Sequence, residues 1–177
     1  KDNSQFHFTH QTGSASLFLN DIESGKVDLG IFFNTPSLPR NLVKSKIADI
    51  DFHFVVKDSL KNNTEVLNSY IATYSQSHLT PEELPLFKKY IGYNKNAFIS
   101  LVSNSSTTRK ACVQKGQGVS ILPEFMVRDE LKRGSLATLY KPEKLGLYLI
   151  ERQSSYRSVL KNKLVSAIKD IVGASTL

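Results

Sequence analysis

The chain of 177 residues carries 23 Lys and Arg against 16 Asp and Glu, is 40% hydrophobic, and contains only 9 Gly and 6 Pro. Collagen-like, low-complexity and wholly disordered chains are excluded by that composition, and the length suits one domain or two small lobes. No apolar run approaches the roughly 20 residues that cross a bilayer, and the opening KDNSQFHF lacks the basic-then-apolar pattern of an export signal. Cys112 is the single cysteine, so an internal disulfide and a multi-cysteine zinc site are out of reach; a cytoplasmic protein is the default expectation, with no membrane partner.

The formal charge of +7 is unevenly spread. Residues 86–115 hold six bases and no acid, whereas residues 1–85 hold seven bases and ten acids. A basic zone can meet an anion, and it can equally be a solvated face. No groove-fitting helix, RNA-binding aromatic signature or paired Cys and His accompanies these zones, so the chain itself is not expected to grip DNA.

Phe6 and Phe8 alternate with His7 and Thr9 as in a half-buried strand. A helix follows, because Ala15, Phe18, Leu19 and Ile22 recur at helical spacing, with Ser14 as N-cap and Gly25 placed to end it. Val27 to Phe33 reads as a strand buried on both faces of a parallel sheet. Beyond the loop Asn34 to Arg40, a further strand is expected at Phe52 to Lys57, then a short helix from Thr64 and a strand over Tyr70 to Tyr74. A polar loop holds Ser75, Gln76, Ser77 and His78.

Thr80, Pro81 and Glu83 form a helix start of the capping-box type, with Pro85 expected to keep that helix short. Ala97 to Ser103 alternates as a strand. Asn104 is expected to cap a helix ending at Gly116, Val119 to Leu122 returns as a strand, and Pro123 opens another helix. The order strand, polar cap, helix, Gly and apolar strand thus occurs twice, at Ser14 to Phe33 and at Asn104 to Leu122. That duplication points to two similar α/β lobes with helix N-termini facing a shared crevice. A strand at Leu147 to Ile150 and an amphipathic helix through Tyr156, Leu160, Leu164 and Ile171 complete the chain and are assigned to the first lobe.

The segment GKVDLGIFF at Gly25 to Phe33, followed by QKGQGVSILPEFMVRDELKRGSLATL at Gln114 to Leu139, resembles the effector-binding domain of LysR-type transcriptional regulators. FHFVVKDSL at Phe52 to Leu60 is similar to the strand by which that family crosses between lobes. The resemblance implies an α/β, two-lobed, periplasmic-binding-protein-like (type 2) fold with an effector crevice between the lobes. Residues 1–54 and 143–177 would form lobe I and residues 55–142 lobe II. Against the family pattern the chain looks N-terminally truncated, without a first strand and helix and without the winged helix-turn-helix. DNA contact is then expected only through that upstream domain, and the family implies a homodimer or homotetramer.

Helix N-termini carry unsatisfied N–H groups and partial positive charge, so two of them facing one crevice favour an anion. The resemblance places Ser14, Thr73, Tyr74, Ser75 and Asn104 among the positions that touch the ligand, and Phe33, Gln76, His78 and Pro123 are candidates beside them. Backbone N–H groups after Ser14 and Asn104 would hold its charge, and Thr73, Ser75, Gln76 and His78 would supply directed hydrogen bonds. Caps that merely satisfy their own helices use the same residue types. His7, His10, His53 and His78 lack metal-ligand spacing, and no nucleophile elbow or phosphate loop occurs, so neither an enzyme nor a cofactor is expected. A solute-binding protein of a transporter shares the architecture and is the alternative.

Overall fold

The computed structural model describes residue 9 and residues 15–33, 38–73, 83–153 and 159–174. Ser14, Tyr74, Ser75, Gln76, His78 and the Thr80 cap lie outside them, as does the strand expected at Phe6 to Thr9, apart from Thr9, which belongs to no strand.

Helix α1 (Ala15–Ser24) buries Leu19 and Ile22, and Gly25 ends it at φ 85°, a left-handed conformation that glycine adopts without steric cost. Strand β1 (Leu29–Phe33) follows, then β2 (Leu42–Lys57), sixteen residues long and begun ten residues before the expected Phe52. Short helix α2 (Thr64–Asn68) leads into β3 (Ser69–Ala72). Helix α3 (Glu83–Tyr93) is eleven residues long rather than short. Pro85 falls in its first turn, where a backbone N–H has no intrahelical acceptor to lose, so the helix runs on.

Strand β4 (Phe98–Val102), helix α4 (Ser106–Gln114), strand β5 (Ser120–Pro123) and helix α5 (Glu124–Lys132) come next. Strand β6 (Leu136–Thr138), strand β7 (Glu143–Arg152) and helix α6 (Val159–Ala174) finish the chain.

The main sheet has the order β1-β7-β2-β5, with β6 also paired to β2, and every pairing in it is antiparallel. The parallel setting expected for β1 is therefore corrected. Leu29 to Phe33 pairs antiparallel with Glu151 to Leu147, and Ile31 is exposed rather than enclosed on both faces. Its apolar run packs one face on α1, where Ile22 and Leu19 meet Leu42, Ile150 and Phe32.

A second sheet pairs β3 with β4 in parallel, and a parallel bridge between Tyr70 and Val119 carries β3 on to β5. Ile71 N donates to Val119 O at 2.8 Å, and Val119 N donates to Ser69 O at 2.8 Å.

Side chains alternate across a strand, and β2 uses both of its faces. Phe52, Phe54 and Val56 enter one core with Tyr70, Tyr90, Leu145 and Leu147. Val55, between them, enters another with Val113 of α4 and Val127 of α5. Helices α4 and α5 therefore lie on the opposite face of β2 from α3. No described helix is long and apolar enough to cross a membrane.

Candidate ligand site

Parallel strands β4, β3 and β5 end side by side, because Ser103 N donates to Ala72 O at 2.9 Å and Ser120 Oγ donates to Ile71 O at 2.7 Å. Their carboxyl ends bring Thr73, Ser103 and Pro123 to one edge, where α4 and α5 begin. In sheets of this kind ligands bind outside the carboxyl ends of the strands.

The cap of α4 differs from expectation. Ser105, not Asn104, holds the cap position with an extended backbone, and its Oγ accepts from Thr108 N at 3.2 Å. Ser103 Oγ in turn accepts from Ser105 N at 3.2 Å, fixing the chain one residue further on than the sequence pattern placed it. Asn104 remains beside the cap, exposed.

Arg109 is 6% exposed although it carries a guanidinium. It stands four residues before Val113 on the buried stripe of α4, where helical spacing calls for an apolar side chain. Its Nη1 donates to Thr73 Oγ1 and its Nη2 to Ser106 Oγ at 3.1 Å, so the end of β3 is tied to the first turn of α4. A guanidinium only donates, which makes both hydroxyl oxygens acceptors toward it. Sequence reasoning passed over Arg109, Ser105 and Ser106; a charged residue on the core-facing stripe was the available signal.

Phe33, the last residue of β1, meets Phe52 edge-on at 4.9 Å between ring centroids. Phe52 is the register partner of Pro123, which is buried. Phe33 and Pro123 are thus joined through Phe52, and Pro123 sits on the same strand-end edge as Thr73 and Asn104. The structure brings these four expected residues into two adjoining groups, one apolar and one rich in hydroxyl and N–H donors. The other five expected site residues lie outside the described residues.

His53 follows Phe52 on β2, with Nδ1 3.0 Å from Thr138 Oγ1. Burial pushes its pKa below the ordinary histidine value, against the attraction of Glu124 and Asp51. Among the described residues no group of three or more His, Cys, Asp or Glu is placed to hold a metal ion.

The family model for the LysR substrate binding domain matches residues 2–172. No curated protein matches the chain. Among solved structures, the apo regulatory domain of HypT from Salmonella typhimurium superposes with a TM-score of 0.76 at 15% identity, covering 97% of this chain and 86% of that one. The regulatory domain of CcmR from Synechocystis PCC6803, in complex with 2-PG, gives 0.66 at 15% identity over 88% of this chain and 78% of that one. Vibrio fischeri DarR in complex with DNA gives 0.67 at 15% identity, over 90% of this chain and 56% of that longer one.

Proposed function

Since the chain belongs to the family of LysR substrate-binding domains, a regulatory fold of periplasmic-binding-protein type, we propose that it senses a small anionic effector held between two lobes and passes its presence to a DNA-binding domain. The lobes are residues 1–54 with 143–177, and residues 55–142. Binding of 2-PG by the CcmR domain shows that this fold accepts a small ligand in another protein.

The observation that carries the reading is the polarity of the strand-end edge. Two N–H groups at the start of α4, those of Ser106 and Thr107, precede the one that Ser105 caps. Arg109 donates to the hydroxyls of Thr73 and Ser106, so a guanidinium charge lies beside those N–H groups. Donors gathered at the positive end of a helix suit an acceptor-only ligand, which is what an oxyanion is. Phe33, Phe52 and Pro123 supply an apolar wall for the rest of it. Asn104 borders the donors, and Ser14, Tyr74, Ser75, Gln76 and His78 would complete the site.

In this reading the domain is a sensor and not a catalyst, works in the cytoplasm, and assembles as a homodimer or homotetramer. DNA is contacted through a separate helix-turn-helix domain, and DarR, a protein of similar fold, has been solved in complex with DNA. The family match favours this over a solute carrier for a transporter.

Calorimetric titration with sulfate, phosphate and a series of small dicarboxylates tests it. At least one of these anions should bind, and Thr73→Val and Ser106→Ala should each weaken it by about 1 kcal/mol, roughly fivefold. Folded variants that bind every such anion as the parent does would defeat the proposed site.

A further inference from the structure

His53 occupies a position that calls for an explanation in its own right. Its Nδ1 meets Thr138 Oγ1, while Nε2 is buried without a hydrogen-bond partner. A neutral imidazole has one N–H and one bare nitrogen, and the threonine hydroxyl can serve either at Nδ1. Protonation turns both nitrogens into donors, and Nε2–H then requires an acceptor.

The surroundings offer few. His53 lies two residues before Val55, on the face of β2 that packs against α4 and α5. Leu122 of β5 is its register partner and Thr138 belongs to β6, so neither strand brings a charge there. Asp51, on the same face of β2, is engaged by Lys144 of β7 at 3.2 Å. Glu124, the first residue of α5, is engaged by Arg128 one turn later at 3.3 Å. Both carboxylates act on the imidazole to favour its charged form.

The first turn of α5 is held from α4 by Lys110, whose Nζ donates to Met126 O, and not by a side-chain cap. Its cap residue is Pro123, which supplies no side-chain cap hydrogen bond, and Glu124 is the acidic group at that positive helix end. An imidazolium beside the helix start competes with Arg128 for the same carboxylate.

We propose that His53 is a proton-operated joint between β2 and α5: when it is protonated, Glu124 leaves Arg128 for Nε2–H and the first turn of α5 shifts. Burial keeps the imidazole neutral near neutral pH, so acidification sets the joint. Helix α5 starts where β5 ends, at the edge that carries Thr73 and the start of α4, so the joint places a proton signal beside the candidate ligand site. The inference does not rest on the effector reading and is tested without a ligand.

Nuclear magnetic resonance of isotope-labelled protein between about pH 8 and about pH 5 provides the test. The Cε1–H resonance of His53, identified by its loss in His53→Gln, should titrate below the ordinary histidine midpoint. Backbone amides of Glu124 to Arg128 should shift with the same midpoint. That amide response should vanish in His53→Gln and shrink in Glu124→Gln, which keeps the imidazole and removes its carboxylate. Amides that stay fixed while His53 titrates, or that move equally in either variant, overturn the joint. Thermal melts at about pH 8 establish that each variant is folded, and Glu124→Gln alone decides the matter if His53→Gln is not.

Discussion

Lys110 Nζ on α4 lies 2.8 Å from Glu130 Oε1 on α5, and the same ammonium donates to Met126 O at 2.6 Å. Glu130 is 7% exposed and also receives Gln114 Nε2 at 3.3 Å, with Arg133 at 3.6 Å. One buried carboxylate therefore fastens the two helices whose N-termini border the candidate site. The hydrogen bond from Lys110 holds its pKa below the ordinary carboxylate value against the opposing effect of burial.

A group with a depressed folded-state pKa stabilises the fold above its unfolded pKa, and that contribution is lost as pH falls through the folded value. Glu130→Gln should accordingly cost about 1–3 kcal/mol at neutral pH. The difference from the parent should narrow as pH drops below the ordinary carboxylate range. Urea denaturation of both proteins across that interval gives the comparison, and a penalty independent of pH would contradict the assigned role.

The revised cap of α4 separates two substitutions that the sequence alone would rank the other way. Ser105 Oγ accepts from Thr108 N, whereas exposed Asn104 has no part in the cap. Ser105→Ala should cost about 1 kcal/mol of stability, and Asn104→Ala should change it by no more than about 0.5 kcal/mol. Equal losses in thermal melts would return the cap to Asn104.

Most helices and several strands were legible because their signals are local: periodic apolar residues in α1, Gly after α1 and α4, and alternation in β4. The ends of α4 illustrate the limit. Ser103, Asn104, Ser105 and Ser106 are all able to cap, and only the pairing of β4 with β3, which releases the chain at Ser103, chooses among them. For β1 an apolar run fits parallel and antiparallel neighbours alike; its partner β7 lies more than a hundred residues away, beyond any local signal.

At the candidate site, Thr73, Asn104, Pro123 and Phe33 were reachable from the order of elements and the family resemblance. Arg109 was not, because its place is set by a hydroxyl on another strand. Its charge on a core-facing stripe reads as an irregularity until Thr73 and Ser106 are seen around it.

Tyr90 of α3 gives a prediction at the alkaline end. Its ring is fully buried, stacks on Phe54 at 5.4 Å, and lies 5.2 Å from Tyr70, while its hydroxyl donates to Leu67 O at 2.5 Å. Burial first, then the nearby Tyr140, pushes the phenol pKa well above the ordinary tyrosine value. The unfolded chain loses this proton above about pH 10, whereas the folded chain keeps it. Unfolding therefore releases a proton at high pH, and stability falls as pH rises past the unfolded value. Tyr90→Phe removes that linkage and the hydrogen bond together. It should cost about 1 kcal/mol near neutral pH, where the phenol is neutral in both states, and the deficit should shrink or reverse at strongly alkaline pH. Denaturant titrations at neutral and alkaline pH, with phenolate absorbance followed during unfolding, measure both effects. A deficit that stays constant into the alkaline range, or phenolate absorbance from Tyr90 in the folded protein at the ordinary tyrosine midpoint, would show that the ring is not sealed in the core formed by Phe54 and Tyr70.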